Sequence, residues 1–386
     1  MATVASSRRH ASEAFVGAIE RAIGECGEVG LQVAVYHHDE LVVDAWGGIA
    51  DETTGRKVDG DTLFPVFSVV KAVTATALHI QAERGLIEYD QPIARYWPEF
   101  AAAGKERATI RDALSHRLGI PQMPAAVTPE LMSDYGWMVE QLAAMTPRFA
   151  PGTDNGYMCY TFGWVIAECV RRTDPQHRPF GTFVQEEICG PLGITDLWIG
   201  IPDRVESRIA RIKNSVPRPL APDLPIFAAI PPAVATVEEV FGRADVRRSC
   251  HPGANGIMNA RSAARFFAML AGGGALNGVR LISEQRVRGF CTPRPDTDRA
   301  DSILGIPIRV GTAGFWLGGN VSADYPYRLV GRNPRILFHP GAGGSIGWAD
   351  PDARLAIAIC HNRMTHAPSE AFAPIREALV EIFGVA

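Results

Sequence analysis

The stretch FPVFSVVKAVTATAL, residues 64–78, decides how the rest of the chain is read. It is apolar throughout except for small hydroxyl residues and a single charge, Lys71, and Lys71 stands three residues after Ser68. Lysine is scarce in this chain, occurring only at positions 57, 71, 105 and 213, and Lys71 alone has a serine at that spacing. If Ser68 opens a helix, Lys71 lies one turn on and on the same face, so its amine can approach the serine hydroxyl. Apolar surroundings disfavour an ammonium, which lowers its pKa and lets the amine take a proton at neutral pH. A serine at a helix start also has a free N–H for an oxyanion. The plain alternative is a helix cap at Ser68 with Lys71 laying its stem along apolar surface.

Outward from that segment the chain changes character twice. Before it, residues 12–27 space Phe15, Ile19 and Ile23 as a helix ending on glycine. Runs 31–36 and 41–46 then read as a hairpin around His37-His38-Asp39-Glu40. That tetrad has metal-ligand chemistry, but adjacent side chains at a hairpin tip diverge, so it reads as a solvated turn. After about residue 72, VTATALHIQAERG, TIRDALSHRLG, GWMVEQLAAM, FGWVIAECVRR and FGTFVQEEICGPLG carry helical periodicity or stops. Residues 215–245 hold six prolines in an apolar, irregular run that suggests a pocket wall or lid. SAARFFAMLAGGG is again a helix, and FHPGAGGSIGWADPDARLAIAICHN resolves into two strands around Asp350-Pro351-Asp352. The expectation is an α+β fold: an antiparallel sheet assembled from both chain ends, flanked by helices and interrupted by a helical insertion. Residues 1–75 and 255–386 would form the sheet domain, residues 76–254 the mostly helical one, with the active site in the cleft between them.

Composition narrows the function. With 38 basic and 42 acidic side chains among 386 residues, nothing draws the chain toward nucleic acid or an anionic membrane. No apolar run reaches the length of a membrane span, and MATVASSRRHASEAF lacks the apolar core of a secretory signal. Seven scattered cysteines without a CxxC pair fit reduced thiols in a cytoplasm and imply neither disulfides nor zinc. No metal or organic cofactor is expected, and no oligomeric state is indicated.

Two further features bear on Ser68. In APGTDNGYMCYTFGWVIAECV, Tyr157 sits on a turn at a helix entrance, where a phenol can exchange protons with a serine if a neighbouring cation such as Lys71 lowers its pKa. His339-Pro340-Gly341 precedes Ala342-Gly343-Gly344-Ser345 at a strand edge, where glycines admit a substrate to the backbone and an N–H supplies a second oxyanion donor.

In this order the three features resemble the serine β-lactamase and penicillin-binding-protein superfamily, in its class C-like branch of family VIII carboxylesterases and related acyltransferases. The resemblance runs from the early strands through LFPVFSVVKAVTA, TIRDALSHRLGI, PGTDNGYMCY and NGIMNARSAARFFAMLAGGG to HPGAGGSIGWADPDARLAIA. It implies the β-lactamase-like fold, Ser68 as nucleophile, Lys71 as its proton-accepting partner and Tyr157 as the tyrosine of a YxN-like motif. It also implies that His339 and Gly341 belong to a substrate-binding third motif, and that the N–H groups of Ser68 and Ala342 form the oxyanion hole. Cys159 stands where the YxN asparagine would hold a substrate amide, and a thiol cannot replace that pair of hydrogen-bonding groups. His339 stands where KTG enzymes place a carboxylate-attracting lysine, and is largely uncharged at neutral pH. Both departures point toward esters.

One competing motif is complete on paper. Gly343-Gly344-Ser345-Ile346-Gly347 fits GxSxG, and Asp350 or Asp352 followed by His361 supplies the remaining order of an α/β-hydrolase. A nucleophile elbow, however, needs a helix after the serine, and the sequence after Ser345 is strand-like. The sequence therefore points to a serine hydrolase of small-molecule esters or acyl donors acting through an acyl-enzyme on Ser68. Its rivals are an acyltransferase, a β-lactamase or D-amino-acid peptidase, and a non-catalytic binding protein.

Overall fold

The structure is a computed structural model that describes residues 2–214 and 224–385. The first helix spans Ala2–Cys26 and leads into strands β1 (Gly30–His37) and β2 (Glu40–Asp51). Their connection is two residues, shorter than the four-residue tip expected from sequence, because His37 still pairs with Glu40. His38 and Asp39 both take positive φ (49° and 68°), the backbone that lets a two-residue turn follow the twist of the strands. Asp39 is engaged by Arg354 across the sheet.

Strands β3 (Arg56–Lys57) and β4 (Phe64–Phe67) follow, and β4 runs directly into the helix Val70–Glu83. Two short strands come from the middle of the chain, β5 (Leu197–Ile199) and β6 (Gly256–Met258), before the small hairpin β7 (Ala275–Leu276) and β8 (Val279–Arg280). The last four are β9 (Trp316–Leu317), β10 (Leu337–Pro340), β11 (Ile346–Asp350) and β12 (Leu355–His361). The main antiparallel sheet has the order β3-β2-β1-β12-β11-β10-β9, so both chain ends build it. Its middle strand β12, LAIAICH, is buried at every position, as a near-continuous apolar run requires. It pairs Ala358 with Ala34 on one side and with Gly347 on the other.

The helix Ala260–Ala271 covers β12, β11 and β1. Asn259 caps its start by accepting from the Ser262 N–H, and glycines 272–274 end it. The first helix packs on β2 and on the C-terminal helix Ala373–Phe383.

A second sheet, in the order β4-β6-β5, was not expected from the sequence. These strands are three or four residues long, too short for a period to declare itself. This small sheet matters to the site, because it sets the loop 252–255 beside the start of the helix Val70–Glu83. On its other side the loop packs against the helix Thr161–Thr173, an approach that Gly163 and Gly253 permit: a Cβ on Gly163 would stand 1.9 Å from the Gly253 nitrogen. Residues 215–223 of the proline-rich run lie outside the described residues. From Leu224 onward that run forms short turns of helix, Ile226–Ala229, Pro232–Val234 and Glu238–Phe241.

Candidate active site

Phe67, the last residue of β4, has φ +50°, a left-handed conformation that a bulky residue rarely adopts. The strain turns the chain abruptly from strand into helix, so Ser68 stands at the corner, only 9% exposed. The helix then carries Lys71 back beneath it. Lys71 is fully buried, and its Nζ lies 2.7 Å from Ser68 Oγ, 2.6 Å from the Cys159 carbonyl oxygen and 2.5 Å from that of Gly253.

This arrangement orients the amine. A neutral amine has two N–H donors and one lone pair, and the two carbonyls can only accept, so they take the donors. The lone pair is left facing the Ser68 hydroxyl. Burial lowers the Lys71 pKa to about 7, so the neutral form is populated at neutral pH.

Tyr157 comes to the same corner, with its ring centroid 5.2 Å from Lys71 Nζ, and it lines the same cavity as Ser68. The sequence reading needed a lowered phenol pKa; the structure corrects this. Burial raises the Tyr157 pKa well above its ordinary value of 10, and the adjacent Lys71 does not offset that. Tyr157 is therefore a neutral phenol that can pass a proton but does not hold a phenolate.

The corner opens into a cavity of about 130 Å³. Its walls are apolar and aromatic, with Phe67, Tyr160, Ile226, Ile230, Trp316 and Tyr327 prominent, and no charged side chain lines it among the described residues. Ser68, Tyr157, Cys159, Gly341 and Ala342 all reach its surface. Gly341 brings the β10–β11 connection against β4: a Cβ there would stand 2.1 Å from the Val66 carbonyl oxygen.

His339 does not reach that surface. Its ring is wholly buried, 6.3 Å from the Tyr157 ring and 6.0 Å from Trp316, with Nδ1 donating to the Pro340 carbonyl at 2.9 Å. Desolvation, and Lys71 nearby, hold its pKa well below 6.5, so it carries no charge toward a substrate. The expected substrate contact at His339 is thus replaced by packing behind Tyr157. Successive side chains of a strand point to opposite sides, and a histidine's identity does not reveal which side the cavity occupies.

Cys159 is also used differently from its motif position. Burial pushes its thiol pKa up to about 12, and it is the backbone carbonyl of Cys159 that meets Lys71. Gly253 escaped the sequence reading altogether. Its contribution is a carbonyl, which every residue carries; the Pro252-Gly253 pair between His251 and Ala254 was the only available signal.

Ser345 is excluded from this chemistry by its surroundings. Its Oγ accepts from the His361 N–H at 3.2 Å, the strand β11 starts at the next residue, and it does not line the cavity. The His361 ring turns instead to Glu28, Nδ1 to Oε2 at 2.8 Å.

Fold and site together define a class: an antiparallel sheet flanked by helices, with a serine at the corner before a buried helix and a lysine in that helix's first turn, beside an apolar cavity. The chain belongs to the Beta-lactamase family, whose profile matches residues 15–382. It is 33% identical over 349 residues to the esterase/beta-lactamase LipL of Mycobacterium tuberculosis, a match spanning 86% of this chain and 76% of that one. Among solved structures it is similar to a family VIII carboxylesterase, with TM-score 0.84, 30% identity and 96% and 98% of the two chains covered. It is equally similar to a penicillin-binding-protein homologue from Caulobacter crescentus, with TM-score 0.84, 33% identity and coverage of 96% and 97%.

Proposed function

We propose that this protein is a serine carboxylesterase that cleaves a small, uncharged, apolar ester through an acyl-enzyme on Ser68. The observation that carries the reading is the contact of Lys71 Nζ with Ser68 Oγ at 2.7 Å, its other two partners being the carbonyls of Cys159 and Gly253.

Lys71 takes the Ser68 proton as Oγ attacks the ester carbonyl carbon, and the N–H groups of Ser68 and Ala342 hold the resulting oxyanion. As the tetrahedral adduct collapses, the alkoxide leaves with a proton passed from Lys71 through the Tyr157 hydroxyl. Water then attacks the acyl-enzyme, giving a proton through Tyr157 to Lys71, and Lys71 returns that proton to Ser68 Oγ as the acid is released. The cavity receives its walls from both parts of the chain: Phe67, Trp316 and Tyr327 from the sheet-forming ends, Tyr160, Ile226 and Ile230 from the insertion. The absence of a charged side chain among the described lining residues disfavours substrates bearing a carboxylate near the scissile bond, which includes β-lactams and D-alanyl peptides. The esterase half of the LipL description accords with this; its β-lactamase half is tested with a chromogenic cephalosporin.

The test is intact-protein mass after a fluorophosphonate probe, with aryl-ester turnover measured in parallel on wild type, Ser68→Ala and Ser345→Ala. One adduct and ester turnover, both lost only in Ser68→Ala, are expected. Loss in Ser345→Ala instead, or no adduct on folded wild type, would overturn the reading. Turnover in the presence of alcohols or amines, with products identified, separates hydrolysis from acyl transfer.

A further inference from the structure

The mechanism asks the Tyr157 hydroxyl to sit on Ser68, yet Tyr157 belongs to a turn rather than to a helix or strand. Three successive amides of that turn are each held by one acceptor. The Gly156 N–H donates to the His116 carbonyl at 3.0 Å, the Tyr157 N–H to Asp301 Oδ1 at 2.9 Å, and the Met158 N–H to His116 Nδ1 at 3.1 Å. His116 therefore grips the turn on both sides of Tyr157, once through its backbone and once through its ring.

His116 is built for this. It follows the short helix Ile110–Leu114, which is anchored by a capping box between Thr109 and Asp112. There it adopts φ +58°, an unusual conformation for a side chain of its size. Its ring is wholly buried, stacked on Phe162 at 4.8 Å and lying 4.6 Å from the Tyr157 ring. Because Nδ1 accepts a hydrogen bond, the ring is neutral with its proton on Nε2. Desolvation and the nearby Arg294 cation favour that same form. On the far side, Asp301 is fixed by a fully buried ion pair with Arg294 at 2.9 Å.

We infer that His116 is a positioning residue which, by accepting the Met158 N–H on Nδ1 and the Gly156 N–H on its carbonyl, holds the Tyr157 hydroxyl in register with Ser68. The inference rests on the esterase reading for its catalytic consequence, but the latch itself is a structural claim.

The variants that test it are His116→Asn and His116→Gly. Asparagine places Oδ1 two bonds from Cβ, where Nδ1 stands, and it tolerates positive φ; glycine tolerates that φ but has no acceptor. Ester kinetics should show His116→Gly with kcat down by roughly 10²-fold and KM little changed, the signature of a displaced proton-transfer group. His116→Asn should recover most of that loss. Hydrogen–deuterium exchange of the segment 153–160 should be faster in His116→Gly and near wild type in His116→Asn. If His116→Gly does not fold, His116→Gln takes its place, since its amide stands one bond too far out. Equal kcat and equal exchange in the acceptor-bearing and acceptor-free variants would overturn the latch. If wild type turns over no ester, the proposed function falls, and the exchange comparison still decides whether His116 holds the turn.

Discussion

Lys71 and Lys105 are two buried lysines in closely matched settings. Each directs Nζ at three oxygens within hydrogen-bond distance, and each lies over an aromatic ring, Tyr157 at 5.2 Å for one and Phe100 at 5.1 Å for the other. Burial lowers both pKa values, to about 7 for Lys71 and about 8 for Lys105. The difference lies in the partners. Lys105 donates to the carbonyls of Ala102, Ala143 and Met145, at 2.7, 3.0 and 2.5 Å, and all three can only accept. Removing a proton there leaves a lone pair facing a carbonyl oxygen, so the amine serves as a three-way tie between loops. At Lys71 the third partner is a hydroxyl, which can donate, and the ring above it carries a second hydroxyl. Burial alone makes a lysine easy to deprotonate; a proton-bearing neighbour makes that deprotonation useful.

The largest separation between the two sites is expected on activity. Lys71→Met should lower kcat for an aryl ester by about 10²–10⁴-fold, the range for loss of a general base. Lys105→Met should leave kcat per folded molecule within about twofold of wild type, because the amine it removes is bonded only to loop carbonyls. A comparable loss in both variants would erase the distinction.

Stability tests the structural role of Lys105 itself. Lys105→Met strands three carbonyls and should reduce the unfolding free energy by about 2–4 kcal/mol, read from urea denaturation. An unchanged midpoint would show that the tie is not structural.

The smallest and most specific effect is in pH. In the proposed mechanism the neutral amine of Lys71 is the reactive form, so kcat/KM should rise about tenfold per pH unit below about 7 and level off above it. Tyr157, with its pKa raised well above 10, should add no falling limb in the neutral range. The Lys105→Met profile should superimpose on that of wild type; a displaced limb would place Lys105 in the titration.

The contrast also marks how far residue spacing can be read. Position 68 is serine and position 102 is alanine, so a spacing of three singles out Lys71 and passes over Lys105. That reading works because a helix turn converts sequence spacing into contact. The main sheet was legible for a similar reason: strands such as LAIAIC are long enough for their pattern to appear. The second sheet, with strands of three or four residues, was not. His339 was misplaced because its position along β10 is local information, whereas the side on which the cavity lies is not. Gly253, the Cys159 carbonyl and His116 as a grip on Tyr157 were missed because backbone acceptors leave no mark in residue identity.

By itself the sequence determined the serine–lysine pair, the antiparallel sheet drawn from both chain ends and the lack of any charge but Lys71 between Thr62 and Ala77, since each depends on residue types at short spacing. Only the tertiary structure decided which carbonyls aim the Lys71 lone pair, that Tyr157 stays neutral, and that His339 lies behind the cavity rather than in it. Those outcomes depend on burial and on contacts between residues about 90 to 180 positions apart, and no local pattern encodes them.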